Sequence, residues 1–293
     1  MFTALFSIVT ITLALSCILT PGVYSLLELS FGENLWPYSR VFDRVAMLAA
    51  VLVLWLYRSK FSLAPLKKFY TRTKLKHEYP LAILATFIAT SCTLVFIPYY
   101  VAQGELLWTS HNLVYWLERI PKVLIGALLI SIIEESFFRG LVFQNLKSRS
   151  TTMIAAFISS AFYASVHFIR PIYSWEYPGF SLLIGFEYLG EVFKAMFTLD
   201  ILASFIGLFV VGLVLCRILE KSGSLILCIG LHIGWVIAIK LTVYLTESVP
   251  GYVYEGGRRY FLVGKPLVWS TVILVFIVVS LTIANKLQAK NQT

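Results

Sequence analysis

The chain carries about eight separate apolar runs of roughly bilayer-spanning length, and none alternates apolar with polar residues. A backbone in hydrocarbon must satisfy its own N–H and C=O groups, which leaves only helices or a closed barrel. Barrel strands alternate with a period of two, and these runs are continuous, so the pattern dictates helices. The expected spans are about 2–25, 41–57, 80–102, 122–146, 152–171, 200–219, 224–245 and 266–286. The second is short and opens with Asp43 and Arg44. The expected fold class is therefore all-α: a polytopic membrane helical bundle of about eight transmembrane helices. Charged residues make up 13% of the chain, against about 25% in soluble domains. No Lys or Arg precedes the first run and no small-residue cleavage site follows it, so it reads as a retained span rather than a signal peptide.

The net charge of +9 sits in short segments between apolar runs, as the positive-inside rule expects, and argues against nucleic-acid binding. Segment 58–79 holds Arg58, Lys60, Lys67, Lys68, Arg72, Lys74 and Lys76 against one acid, Glu78. Alternation puts 147–151, 217–223 and 286–293 on the same side, with Lys147, Arg149, Arg217, Lys221, Lys286 and Lys290. Glu28, Glu33, Glu105, Glu118, Glu176, Glu187, Glu191, Glu247 and Glu255 fall opposite. Both termini are thus expected in the cytoplasm. The basic loop 58–79 fixes topology and can meet anionic headgroups, at about 1 kcal/mol per charge. N-terminal helices with that loop span 1–121, and a C-terminal loop and last helix span 246–293. Segment 173–199, aromatic-rich with Glu187, Glu191 and Lys194 at helical spacing, is expected as an amphipathic interfacial helix. The four cysteines lie in apolar runs without CxxC spacing and read as buried free thiols.

Within the fourth span, Glu134-Glu135-Ser136-Phe137-Phe138-Arg139 places three ionisable residues in a membrane-length helix. Uncompensated, these would cost roughly 8–10 kcal/mol, so they must be partnered or face water. Glu135 and Arg139 are four apart, share a helix face and can pair. Glu134 is rotated about 100° from Glu135, so it looks into the bundle or a wet cavity, either as a general base or as a polar packing contact or proton relay. His167 and His232 lie in two further spans. Tyr163 precedes His167 by one turn, and Gly230 and Gly234 flank His232, leaving room for a neighbouring helix or a substrate backbone. One Glu and two His suit a zinc with an open position. They also suit metal-free activation of water with oxyanion stabilisation. No HExxH, no GxSxG and no intramembrane Asp pair is present.

These motifs resemble those of the CPBP family of intramembrane proteases, which includes type II CAAX prenyl endopeptidases and the bacterial Abi proteins. EExxxR matches in full at Glu134, Glu135 and Arg139. FxxxH is met by Tyr163 and His167, with Tyr for Phe. HxxxN is met at His232 but has Val236 for Asn. The resemblance covers about 122–245 and makes that segment a catalytic core. It implies Glu134 as general base, His167 positioning water, Glu135 paired with Arg139, and His232 stabilising the oxyanion. The missing Asn leaves Tyr163 or Trp235 as substitute donors. The implied function is an intramembrane endopeptidase acting on a membrane-associated protein or peptide within the lipid bilayer. The alternatives are a catalytically silent relative binding a membrane peptide, as in bacteriocin immunity, and a proton-coupled transporter. The implied cofactor is either none or a divalent metal such as zinc, held by Glu134, His167 and His232. The expected location is the plasma (inner) membrane of a prokaryote.

Overall fold

In this computed structural model, residues 2–32, 36–71, 75–168, 175–249 and 261–291 are described. The helices are α1 (Phe2–Phe31), α2 (Tyr38–Leu56), α3 (Ala64–Tyr70), α4 (Leu75–Leu94), α5 (Phe96–Ala102) and α6 (Leu113–Glu135). A π-helical stretch, Ser136–Phe143, leads into α7 (Gln144–Lys147). There follow α8 (Thr152–Val166), α9 (Ile184–Ala195), α10 (Leu199–Ser222), α11 (Leu225–Leu245) and α12 (Pro266–Asn291). They group into two compact units, Met1–Ser62 with Ser165–Leu202, and Leu63–Ala164 with Ala203–Thr293. This division cuts across the 1–121, 122–245 and 246–293 partition, because each unit joins segments far apart in sequence.

In the first unit α1 packs on α2 and α9. Cys17, Tyr38, Phe42, Ile184, Tyr188 and Val192 form its core. A Cβ on Gly185 would strike the backbone of Cys17, so the glycine is what lets α9 approach α1. Segment 173–199 is helical over Ile184–Ala195, and the stripe Ile184, Tyr188 and Val192 at fourfold spacing is buried against protein. The interfacial helix expected there thus spends its apolar face on α1, leaving Phe186 and Phe193 exposed.

In the second unit α11 is buried on most of its surface, from Leu225 to Thr242. A helix that is apolar all round belongs at the centre of a bundle. Its main neighbour is α4. Side chains at Gly230 and Gly234 would collide with the backbone of Ala82 and Thr86, so two glycines set the approach. Across the same seam Thr86 Oγ1 donates to Gly230 O at 2.7 Å and Thr90 Oγ1 to Gly234 O at 3.1 Å. Of the two occupants the glycines left open, the neighbouring helix is the one that fills the space. α6 packs on another side of α11. Val123, Ala127, Ser131 and Glu135, every fourth residue, form its buried stripe, while Ile125, Leu129 and Ile133 stay exposed. Asn112 caps this helix by accepting from Tyr115 N at 2.9 Å.

The fold is all-α as expected, with one short β pairing among the described residues. β1 (Leu106–Trp108) pairs antiparallel with β2 (Thr246–Ser248), with Leu107 opposite Glu247. Strands of three residues are too short to show a period-two signal. Helix occupies all eight expected spans, but crossing is a stricter condition. Among the described residues four helices are long and apolar enough to cross a membrane: Thr3–Phe31, Glu78–Ala102, Ile201–Ser222 and Leu225–Leu245. Thr152–Val166 and the described part of α12, Pro266–Val279, are also apolar. α2 carries Asp43 and Arg44, and α6 carries Glu118, Arg119, Lys122, Glu134 and Glu135. Glu33, Arg72, Lys74, Glu255 and positions 169–171 of the fifth expected span lie outside the described residues, as do the side chains of Lys76, Lys286 and Lys290.

Candidate active site

α6 closes on Glu134 and Glu135, and the chain widens at once into the π stretch Ser136–Phe143. Such turns are rare and recur at functional sites. Two contacts support it from α3: Tyr70 Oη and Ser136 Oγ are 2.6 Å apart, and the Leu66 side chain lies against Gly140. Glu135 and Arg139 are 0% and 1% exposed, and Arg139 Nη1 donates to Glu135 Oε1 at 3.1 Å. The expected i,i+4 pair is therefore formed in the interior. The guanidinium also lies 4.3 Å from the centroid of the Tyr163 ring, a cation–π contact that adds to the Glu135 bond.

Sequence reasoning missed the second partner of Glu135. His232 Nδ1 lies 2.7 Å from the same Oε1. A carboxylate oxygen only accepts, so Nδ1 carries the proton and the ring tautomer is set. His232 Nε2 then faces Glu134, 3.8 Å from Oε2. The Glu134 side chain is 25% exposed although its Oε2 is buried, whereas Glu135 is 0% and His232 5% exposed. The Glu135–His232 contact joins residues 97 apart in the chain, and no local spacing announces it.

Tyr163 stands edge-on to His232, with ring centroids 6.2 Å apart at 87°. Both border a cavity of about 50 Å³ that also touches Thr93, Trp235, Val236 and Trp269 and is almost wholly apolar. Trp235 is buried, and Val236 lines the cavity one turn past His232. The structure thus brings together Glu134, Glu135, Arg139, Tyr163, His232 and Trp235 in the second unit. His167 belongs to the first unit, one residue past the end of α8, and is half-buried.

A catalytic zinc takes three protein ligands. Glu135 Oε1 is committed to Arg139 and His232, which leaves Glu134 Oε2 and His232 Nε2 as the facing donors of this unit. Among the described residues no group of three or more His, Cys, Asp or Glu is placed to hold a metal ion. No step below passes through a metal.

Residues 116–238 match the family model of the type II CAAX prenyl endopeptidases, Rce1-like. The Rce1-like segment contains Glu134, Glu135, Arg139, Tyr163, His167, His232 and Trp235 and covers less than half of the chain. No curated protein and no solved structure matches the chain. The Rce1-like match supports a CAAX-type intramembrane protease, and with the long apolar helices it points to an integral membrane protein.

Proposed function

We propose that the protein hydrolyses a peptide bond of a membrane-associated protein or peptide, with Glu134 and His232 acting on the attacking water. The observation that carries this reading is the 3.8 Å approach of Glu134 Oε2 to His232 Nε2, with the imidazole held from behind by Glu135. In this reading one water bridges the two atoms at about 2.8 Å from each. Glu134 takes one proton from the water as its oxygen attacks the scissile carbonyl, and returns it to the leaving amine. His232 has its Nδ1 proton committed to Glu135. To stabilise the oxyanion it must also carry a proton on Nε2, so the imidazolium is the form that serves this role. Tyr163 and Trp235 border the same cavity and are the candidates for the second donor that Val236 cannot supply. The resemblance implies a water-positioning role for His167, which lies in the other unit.

The buried Glu135–Arg139 pair holds the imidazole rather than reacting, which is why two adjacent glutamates are needed. The basic segments 58–79, 147–151, 217–223 and 286–293 face the cytoplasm in this reading, with both termini on that side. A proteome comparison of membranes from cells expressing wild type or Glu134→Gln at equal level is the test. A protein terminus produced only by the wild type establishes proteolysis and identifies the substrate. Identical termini, with the biological phenotype intact in both, overturn it. Val236 favours one second reading, a silent relative that binds a membrane peptide; retained binding and phenotype in Glu134→Gln would select it.

A further inference from the structure

A groove of about 310 Å³ in the second unit is lined by residues of α8, α10 and α12, and no residue of the candidate active site borders it. Ala156 and Val214 are buried and form its floor, while Met153 and Phe157 are exposed at its lips and α12 supplies Phe276. Toward the N-terminal half of α10 the groove closes, because α8 and α10 meet there. A Cβ on Gly212 would collide with Ser160, and the Phe157 and Phe209 rings stand 5.1 Å apart. Toward the C-terminal end of α10 the groove turns cationic. Arg217, the one charged residue of the lining, has its side chain 48% exposed and donates from Nη1 to Glu220 Oε2 at 2.8 Å. Lys147 Nζ lies 3.9 Å from the other oxygen of Glu220. Lys221 Nζ lies 5.3 Å from the centroid of the Phe276 ring, which itself borders the groove. Three cations thus gather at this mouth around one carboxylate, and Glu220 is the only acid of segments 147–151 and 217–223.

We propose that this groove binds an anionic phospholipid, with an acyl chain along Phe157, Leu213 and Val214 and the headgroup phosphate at Arg217, Lys221 and Lys147. The two ends ask different chemistry of one molecule: hydrocarbon for the groove and an oxyanion for its mouth. Arg217 follows Leu213 by four residues on α10, about 6 Å of rise, so a single lipid spans both. A guanidinium has five N–H donors, and the bond to Glu220 uses Nη1, which leaves donors for a phosphate that suits their forked geometry. Charge selects the occupant. A second copy of the chain would bring the same basic mouth and meet like charge with like. A zwitterionic lipid carries a cation beside its phosphate and leaves the excess of positive charge in place. An anionic lipid offsets that excess, and basic pockets between membrane helices take such headgroups. The site does not rest on the protease reading. In the orientation proposed above, its mouth lies at the cytoplasmic surface, where anionic lipids draw clustered Lys and Arg.

The test uses the full chain in detergent, with native mass spectrometry counting bound lipid as dioleoyl phosphatidylglycerol or dioleoyl phosphatidylcholine is titrated. The wild type should bind its first phosphatidylglycerol about tenfold or more tightly than phosphatidylcholine. Arg217→Gln with Lys221→Gln should bring the two lipids to equal affinity, while Arg217→Lys with Lys221→Arg should keep the preference. Both positions are exposed, so these changes leave the core intact. Leu213→Trp fills the groove, keeps the cations and should weaken phosphatidylglycerol about tenfold or more. Protection of the buried Cys17, Cys216 and Cys228 from a maleimide reports that each variant is folded. Equal affinity for the two lipids in the wild type overturns the site, as does a preference that survives in the folded double Gln protein. Phosphatidylglycerol binding untouched in folded Leu213→Trp overturns the groove as the seat of the lipid. A dimer that Leu213→Trp abolishes overturns the lipid as occupant and gives the groove to a second copy.

Discussion

Replacing Glu135 and replacing Glu134 should have opposite signatures. Glu135→Ala leaves Arg139, 1% exposed, without the carboxylate it donates to at 3.1 Å, and removes the partner of His232 Nδ1 at 2.7 Å. Breaking a buried ion pair from one side costs about 3–5 kcal/mol, because an uncompensated charge stays behind. The two lost contacts share one oxygen and do not add. At roughly 2–4 °C per kcal/mol for a large domain, melting should fall by about 6–20 °C. Glu134→Gln keeps shape and a hydrogen-bonding head on a side chain that is 25% exposed, so its melting should stay within about 2–4 °C of wild type, a change of at most ~1 kcal/mol. Its cleavage rate should drop by about 10²-fold or more with the general base removed. The chain carries its own reporter, since Cys17, Cys216 and Cys228 are buried free thiols that react with a maleimide fluorophore on unfolding. Glu135→Leu with Arg139→Met removes both charges and should recover most of the lost melting temperature, though not activity. A Glu135→Ala protein that melts with the wild type, or a Glu134→Gln protein that melts as low as Glu135→Ala, would refute the division of labour between the two carboxylates.

Thr86→Val with Thr90→Val removes both hydroxyl contacts to the Gly230 and Gly234 carbonyls and should cost about 1–2 kcal/mol, read by the same thiol assay. Gly230→Val drives a side chain into the backbone of Ala82 and should cost about 1–3 kcal/mol; unchanged melting would show that α4 and α11 are further apart. Val236→Asn restores an amide one turn from His232 beside the shared cavity. If the missing donor limits turnover, kcat should rise by about 10–100-fold, and an unchanged kcat in a folded protein would mean that another group already fills the role.

What was legible in the sequence follows from how local each signal is. Apolar runs report helices directly, and helix is found within every run expected; the charges on α2 and α6 set these two apart from the four described helices that are long and apolar enough to cross a membrane. The Glu135–Arg139 pair was readable because four residues are one helical turn. The partner of His232 was not, because the bond from Nδ1 to Glu135 is made by packing α11 on α6 and leaves no trace in spacing. Gly230 and Gly234 advertised a close approach, but the chain alone did not say to what; the answer needed Thr86 and Thr90 opposite them. That placement has a consequence for the site. His232 lies between the two glycines, so the clasp of α4 on α11 fixes its height and rotation while Glu135 fixes its ring. A site whose imidazole is held from two helices tolerates little drift, and Glu134, set at a helix end that opens into a π turn, faces that imidazole with its Oε2 buried 3.8 Å from Nε2.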